Sequence, residues 1–439
     1  MSICIFRFYD RIVKGILSYI DSIAFKGYGV TRIGGKVVFV PFTVPKDEGF
    51  IEIIEEKKAF SIGILRKLIT PSPWRISPAC EHFGKCGGCQ WQHIDYLIQT
   101  EFKKEILTDI LKRLGRFKEI PPINVIHSPN VYDYRSRIQL KIKDNRIGFF
   151  EMKSHRLIDI DKCPIAHPII NKIINLIKKE RSLFSQIEQI EINVSPEEAQ
   201  GILILQNFLL DPRKKEYLMG FLNDHPILKG IAIKTKGGII SLKDPFLFYK
   251  ISFTEGNHIR EVRFRISPGS FSQINLEQNQ KLVETVLEFS NVHQDEIALD
   301  LYSGVGNFTI PISYFVKEAI GIEASRNAFD DACFNIKLNG INRCFFIHER
   351  VENFLSTKIT KKPNLVLIDP PRIGCKSILD ALIKIKPERI VYISCEPTTL
   401  SRDLRLMYEK GYSLKKISLI DMFPQTYHME VVALIKLLY

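Results

Sequence analysis

From residue 263 to the C-terminus, apolar runs of strand length alternate with glycine- or proline-marked turns and segments of helical periodicity. The runs at 297–301, 318–322, 365–368 and 389–393 follow this pattern. Strands that alternate with helices imply a parallel sheet covered on both faces. The pattern therefore predicts a C-terminal doubly wound α/β (Rossmann-like) domain over 263–439, with its ligand groups at the carboxyl edge of the sheet.

The front of the chain reads differently. Residues 22–70 alternate apolar and polar side chains around turns at Gly34 and Gly35 and at 45–49, which predicts a small N-terminal β-barrel over 1–75, of about five short strands. A proline-rich linker, "TPSPWRISPAC", leads into a cysteine-rich loop over 76–94. The segment 95–121 carries the helical period and is expected to pack on the catalytic domain. Residues 122–262 mix strand-like runs at 138–142, 148–151, 190–194 and 202–206 with a helix at 169–181, a central α+β domain. The chain is thus multidomain.

Charge follows the same division. The chain holds 62 Lys and Arg against 49 Asp and Glu, a net charge of +13, but residues 263–439 hold 22 against 20. A basic front joined to a nearly neutral back suits a polyanion-binding part attached to a catalytic part. Arg7, Asp10, Arg11 and Lys14 interrupt the first apolar stretch and argue against a signal peptide. No run approaches the roughly 20 apolar residues that span a bilayer. Nine cysteines, an odd number, four of them with uneven, metal-like spacing, argue against a secreted disulfide scaffold and for a reducing cytoplasm. These readings lead to a cytoplasmic protein, a monomer with no membrane partner.

"IALDLYSGVGNFTIPIS" at 297–313 is an apolar strand, a turn carrying Gly304 and Gly306, and a helix start near Asn307. Alone, such a glycine pair equally serves a plain strand-to-helix turn. Glu323 follows at the end of the next strand, where a carboxylate can accept from both hydroxyls of a ribose, and the spacing suits a nucleoside site. Thr309 stands where a nicotinamide fingerprint has its third glycine. "NLVLIDPPRIG" carries a buried strand into a rigid proline loop after Asp369. "RIVYISCEPTTLSRDL" presents Cys395 at the end of another strand, and "MFPQTYHME" sets His428 and Glu430 before a last strand at 431–437. A cysteine is more often a small buried apolar residue. Cys333, Cys344 and Cys375 read that way, whereas Cys395 has a Glu-Pro turn directly after its strand. Cys80, Cys86 and Cys89, with Cys163 in "DKCPIAHP", have spacing that suits either a [4Fe–4S] cluster or zinc.

Taken in order from Cys80 to Glu430, "CEHFGKCGGCQWQH", "SPGSFSQIN", "DLYSGVGNFT", "DPPRIG", "SCEPTTLSRDL" and "FPQTYHME" resemble the RNA 5-methyluridine methyltransferase family, in its branch with an N-terminal TRAM barrel and an iron–sulfur cluster. The resemblance implies S-adenosylmethionine-dependent methylation of carbon 5 of a uridine in RNA, with 23S ribosomal RNA expected ahead of transfer RNA. It implies that Cys395 is the nucleophile, adding to carbon 6, and Glu430 the base that removes the carbon 5 proton. It implies that Gln273, Tyr302, Asn307, Glu323 and Asp369 line the cofactor site, and that Cys80, Cys86, Cys89 and Cys163 hold a [4Fe–4S] cluster. Three positions depart from the family. Ser303 replaces a cysteine, expected to be harmless. Glu396 replaces an asparagine after the nucleophile and is expected to raise the Cys395 pKa or alter RNA contacts. Arg350 stands where an asparagine often meets adenine. The rival readings are a noncatalytic RNA-binding protein and a cytosine methyltransferase, which typically has a second cysteine where Asp369 precedes the prolines.

Overall fold

The computed structural model describes residues 15–357 and 361–438. The first fourteen residues, where the expected barrel begins and which hold the charges that argue against a signal peptide, lie outside the described residues. The chain forms two compact units, one running to Ile106 and taking in Pro424–Tyr427, the other comprising Leu107–Phe423 and His428–Tyr439.

In the first unit, β1 (Ile16–Tyr19), β2 (Ser22–Ala24), β3 (Tyr28–Ile33), β4 (Lys36–Val40), β5 (Glu48–Glu56) and β6 (Phe60–Thr70) make one sheet in the order β1-β5-β6-β4-β3-β2. The two edges, β1 and β2, are consecutive in the chain. Ile20 and Asp21 between them donate to the carbonyls of Asp47 (2.9 Å) and Val30 (2.8 Å). The sheet is therefore curled on itself around Ile20, Val38, Val40 and Ile51. The fully buried Asp47 carboxylate accepts from Arg75 Nε and Nη2, both at 2.7 Å, and from the Ser72 amide at 2.9 Å, which ties the proline-rich linker to the sheet. Helix α1 (Tyr96–Arg113) follows the cysteine-rich loop.

The second unit takes in the last turns of α1 and then β7 (Ile123–Ile126). Next come β8 (Arg137–Lys143), β9 (Arg146–Phe150), β10 (Leu157–Asp159), α2 (Pro168–Lys179), α3 (Arg181–Phe184), β11 (Gln189–Ser195), β12 (Gln200–Gln206), α4 (Pro212–Asp224), β13 (Leu228–Thr235) and β14 (Gly238–Lys243). Their strands form a seven-stranded sheet, β10-β9-β8-β11-β12-β13-β14, packed on the apolar sides of α2 and α4. Proline at the first turn of each helix costs no hydrogen bond there, and Asp211 Oδ1 caps α4 by accepting from the Lys214 amide at 2.8 Å. Two pieces of the span 122–262 do not join this sheet. β7 adds to the catalytic sheet instead, and the hairpin β15 (Leu247–Glu255) with β16 (His258–Ile266) puts Tyr249, Ile251, Phe253 and Phe264 into the catalytic core. A four-residue strand and a regular hairpin carry alternation but no mark of which sheet they will meet.

The remainder is α5 (Leu276–Ser290), β17 (Ile297–Leu301), α6 (Thr309–Ile312), β18 (Glu318–Glu323), α7 (Arg326–Leu338), β19 (Cys344–His348), α8 (Val351–Thr357), β20 (Leu365–Ile368), α9 (Leu379–Ile385), β21 (Arg389–Ser394), α10 (Pro397–Tyr408), β22 (Tyr412–Ile420) and β23 (Glu430–Leu437). The eight strands run β19-β18-β17-β20-β21-β23-β22-β7. β17, β20 and β21 are almost continuously apolar and buried on both faces, as parallel strands between helix layers must be. The sheet is not wholly parallel, however. β23 runs against both β21 and β22. The strand order reverses between β17 and β20, and there two crossover helices diverge and leave a crevice at the carboxyl edge.

Asp331 of α7 fastens one wall of that crevice. Its buried carboxylate accepts from Arg265 Nε (2.9 Å), the Ser267 amide (2.8 Å), Ser267 Oγ (2.6 Å) and Ser270 Oγ (2.7 Å). Asp331→Ala would strand a largely buried guanidinium and two hydroxyls, and should lower unfolding stability by about 3 kcal/mol in urea titrations. A change below about 1 kcal/mol would show that the loop holds itself.

Candidate active site

The turn after β17 is held in a conformation few residues accept. Tyr302, Gly304 and Gly306 have φ of +68°, +56° and +92°. A side chain at Gly306 would meet Phe346 at 2.8 Å and Ile310 at 2.9 Å, so glycine is required by space as well as by dihedral. Tyr302 has no such excuse, and a bulky residue in the left-handed region marks strain that the surroundings must hold. Glu323 contributes to holding this turn: one carboxylate oxygen accepts from the Gly304 amide at 2.8 Å, the other from the Ser325 amide at 2.6 Å. Gln273, Tyr302, Asn307 and Asp369 line one cleft, together with Tyr249 and Phe271. Asn307 Oδ1 accepts from Tyr249 Oη (3.0 Å) and Asn279 Nδ2 (2.8 Å), and its Nδ2 donates to Asn279 Oδ1 at 3.0 Å. Among the described residues the second amide hydrogen of Asn307 has no partner, which leaves it for a ligand.

At the floor of the turn, Thr309 Oγ1 donates to Asp300 Oδ2 at 2.6 Å. Burial pushes the Asp300 carboxyl up to about 8, with Asp369 and Glu323 adding to the rise and the Thr309 bond opposing it. Ser303 Oγ is buried with no hydrogen-bond partner among the described residues.

The second half of the site follows from the reversed strand. β21 and β23 pair antiparallel with Ser394 opposite Val431. Cys395 and Glu430, each one residue beyond that pair, come to the same edge. The loop after β20 reaches them from the other side. It is anchored on α10, where the buried Asp403 accepts from the Cys375 amide, Tyr392 Oη and Arg402 Nε, each at 2.8 Å. Gly374, at φ +79°, leaves no room for a side chain, which would lie 2.4 Å from Asp403 Oδ2. This anchoring sets Arg372 near Cys395, where its positive charge favours the thiolate.

The electrostatics are crowded with acid. Burial first, then the Glu430 and Asp369 carboxylates, with Arg372 opposing, push the Cys395 thiol up to about 12. Burial holds Asp369 near 7. Glu430 is raised well above the carboxylate range by burial and then by Asp369, again against Arg372. Glu396 plays no part in this: its Oε1 accepts from Thr398 Oγ1 at 2.6 Å at the start of α10, so the expected effect on the thiol comes from other acids. Arg350 is exposed beside Glu352. Tyr249, Asn279 and Arg372 were not legible as site residues. The first two sit on a hairpin and a helix with no motif, while Arg372 lay inside the quoted "DPPRIG" and its basic side chain after a strand end was the available signal.

The cysteine-rich loop belongs to the first unit and Cys163 to the second. Cys80, Cys86, Cys89 and Cys163 are all half-buried. Among the described residues no three His, Cys, Asp or Glu side chains are arranged to hold a metal ion. No helix of the described residues is long and apolar enough to cross a membrane.

Residues 95–437 match the model of the tRNA (uracil-5-)-methyltransferase family. The chain belongs to this family. It is 34% identical over 429 residues to an uncharacterized RNA methyltransferase of Aquifex aeolicus, covering 95% of this chain and 97% of that one. It is 31% identical over 442 residues to the 23S rRNA (uracil(1939)-C(5))-methyltransferase RlmD of Histophilus somni, covering 97% and 96%. Among solved structures, the Pyrococcus abyssi tRNA (uracil-54, C5)-methyltransferase in complex with S-adenosyl-L-homocysteine superposes with a TM-score of 0.74 at 27% identity, over 96% of this chain and all of that one.

The state of Cys395 can be read directly. Only thiolate is alkylated, so its modification by iodoacetamide, mapped by mass spectrometry, should be slow at pH 8 and rise about tenfold per pH unit towards pH 10. Arg372→Ala removes the one cation among the described residues that favours the thiolate and should slow the reaction at every pH. An unchanged rate in that variant would remove Arg372 from the site's electrostatics.

Proposed function

We propose that the protein methylates carbon 5 of a specific uridine in 23S ribosomal RNA, with Cys395 as covalent nucleophile and Glu430 as base. The observation that carries the reading is the antiparallel Ser394–Val431 register, which brings a thiol and a carboxyl to one edge beside the cleft. Carbon 5 of uracil is a poor nucleophile. Cys395, once deprotonated, adds to carbon 6, and the electron pair of the 5,6 double bond moves to the carbonyl as an enolate. S-adenosylmethionine, held by Gln273, Tyr302, Asn307, Glu323 and Asp369, would supply the methyl group that carbon 5 takes, along with a sulfonium charge of the sign that lowers the raised acid constants nearby. The Glu430 carboxylate then accepts the carbon 5 proton, the double bond re-forms and the Cys395 thiolate leaves. Arg372 favours both anions that these steps need, the thiolate and the carboxylate. Support for ribosomal RNA comes from the RlmD relatives, similar along nearly their whole length. The solved neighbour acts on transfer RNA and keeps that substrate as the second reading. An enzyme of ribosomal RNA works in the cytoplasm, and every residue in these steps comes from one chain, so a monomer suffices.

The test joins two variants. With RNA carrying 5-fluorouridine, which has no proton for the base to take, the protein should form a stable covalent adduct, and Cys395→Ala should form none while still binding S-adenosylmethionine. Glu430→Gln should accumulate the methylated adduct of ordinary RNA and release it about 100- to 10,000-fold more slowly. Undiminished adduct in the first variant, or normal release in the second, would overturn the assigned roles.

We further infer that 1–75 is a TRAM-type barrel, a reading supported by the curled six-stranded sheet, and that 76–94 is an iron–sulfur loop ahead of the 95–121 helix, the central domain of 122–262 and the catalytic domain of 263–439. Cys80, Cys86, Cys89 and Cys163 would hold a [4Fe–4S] cluster. Its support is the donor set itself, three thiols in one loop and a fourth in "DKCPIAHP", the all-sulfur ligation that such a cluster takes. The cluster would have a structural role. Protein purified without oxygen should be brown, with about four irons per chain, and Cys163→Ser should lose the iron. A colourless protein with stoichiometric zinc would refute the cluster.

A further inference from the structure

The seven-stranded sheet has two faces of opposite character. Leu140, Ile190, Leu205 and Ile233 are cross-strand neighbours on β8, β11, β12 and β13, and they pack beneath α2 and α4. One residue along, the side chains point the other way, and the row reads Lys141, Gln189, Gln206, Lys234. Part of this second face is closed where Ile202, Ile204 and Ala232 meet Leu247 of the β15–β16 hairpin. Beyond that cluster Gln139 is exposed, and Lys141, Gln206 and Lys234 are half-exposed.

We propose that this polar face is the track along which the RNA strand flanking the target uridine lies as a single strand. The inference rests on RNA being the substrate. Its charge is of the right sign: Arg137, Lys141 and Lys234 stand on these rows against the single acid Glu191. Gln139 and Gln206 offer donors and acceptors that match base edges. The cations are paired with rings, Lys141 Nζ lying 5.9 Å from the centre of Phe150 and the Arg137 guanidinium 5.6 Å from that of Phe271. Cations and aromatic faces in alternation are what unstacked nucleotides bind.

The track is continuous with the cleft. Phe271 lines the cleft, and Lys234 lies against the loop that leads to it: a side-chain carbon at Gly269 would sit 3.5 Å from Lys234 Nζ. That is the loop Asp331 fastens. From Lys141 to Lys234 the row crosses three strand spacings, about 14 Å. A base must leave its stack to reach Cys395, so its neighbours are single-stranded too, and the face provides for them.

The experiment reads charge rather than folding. Oligouridine affinity would be measured against salt for the full-length protein, and methyl transfer on a protein-free 23S ribosomal RNA transcript. Each phosphate neutralised on a single strand contributes about −0.7 to the slope of log affinity against log salt. Lys141→Gln combined with Lys234→Gln should flatten the slope by about 1.4 and raise KM for RNA, leaving kcat and S-adenosylmethionine affinity unchanged. Gln139→Lys should steepen the slope by about 0.7, a gain no misfolded variant produces. Slopes unchanged in both proteins would overturn the proposal and leave the face to a protein partner or to solvent. If the unaltered protein makes no 5-methyluridine on the transcript, the functional reading fails instead, and the slopes still report on the face.

Discussion

The antiparallel pairing of β21 with β23 is the contact on which the chemistry depends. In a wholly parallel sheet, all strand ends at the carboxyl edge are ends, and a nucleophile there has only loops for neighbours. Reversing one strand turns its beginning towards that edge. Glu430, the first residue of β23, thereby meets Cys395, the residue after β21, and the hydrogen-bonded ladder sets their separation more firmly than two loops would. β22 lies on the far side of β23 and pairs Ile420 with Glu430, so the carboxyl-bearing residue is held between two strands and is almost fully buried.

That burial has a cost, and the site is arranged around it. Burial and neighbouring acids both raise Cys395 and Glu430 above their ordinary values, and burial raises Asp369 as well. Among the described residues Arg372 is the basic side chain that acts on both Cys395 and Glu430, and its loop is pinned to α10 by the Cys375 amide donating to Asp403, Thr399 Oγ1 to the Arg372 carbonyl and Arg402 Nη2 to the Ile373 carbonyl. A cationic cofactor beside such a cluster has a larger electrostatic consequence than it would in water, since the low local dielectric that penalises the acids also strengthens their attraction to a positive charge.

The cofactor side shows the same division between local strain and remote support. The turn at 302–306 asks for three positive dihedrals in five residues, one of them at a tyrosine. Its support comes from β18, through Glu323, and from α5, through Asn279. The opposite wall is tied to α7 by Asp331. A crevice at the switch point of the sheet is thus braced by side chains from three elements that have no sequence proximity to it.

Much of this was legible in the chain. The β17 and β20 runs, the glycines of the turn, Glu323 at the next strand end and Cys395 before a Glu-Pro step are local signals, because a strand end and a tight turn are dictated by a few consecutive residues. The strand-like runs of β8, β11 and β12 likewise announced strands. What only the tertiary structure decided is long-range. Whether β23 runs with or against β21 depends on the path of the chain from α10 through β22, which no residue near Cys395 encodes. Nothing in "INVI" shows that β7 joins the catalytic sheet rather than the central one, nor in the β15 hairpin that Tyr249 will reach Asn307. The polar row from Lys141 to Lys234 exists only once four strands are in register, since a shift of one residue would exchange it for the apolar row beneath.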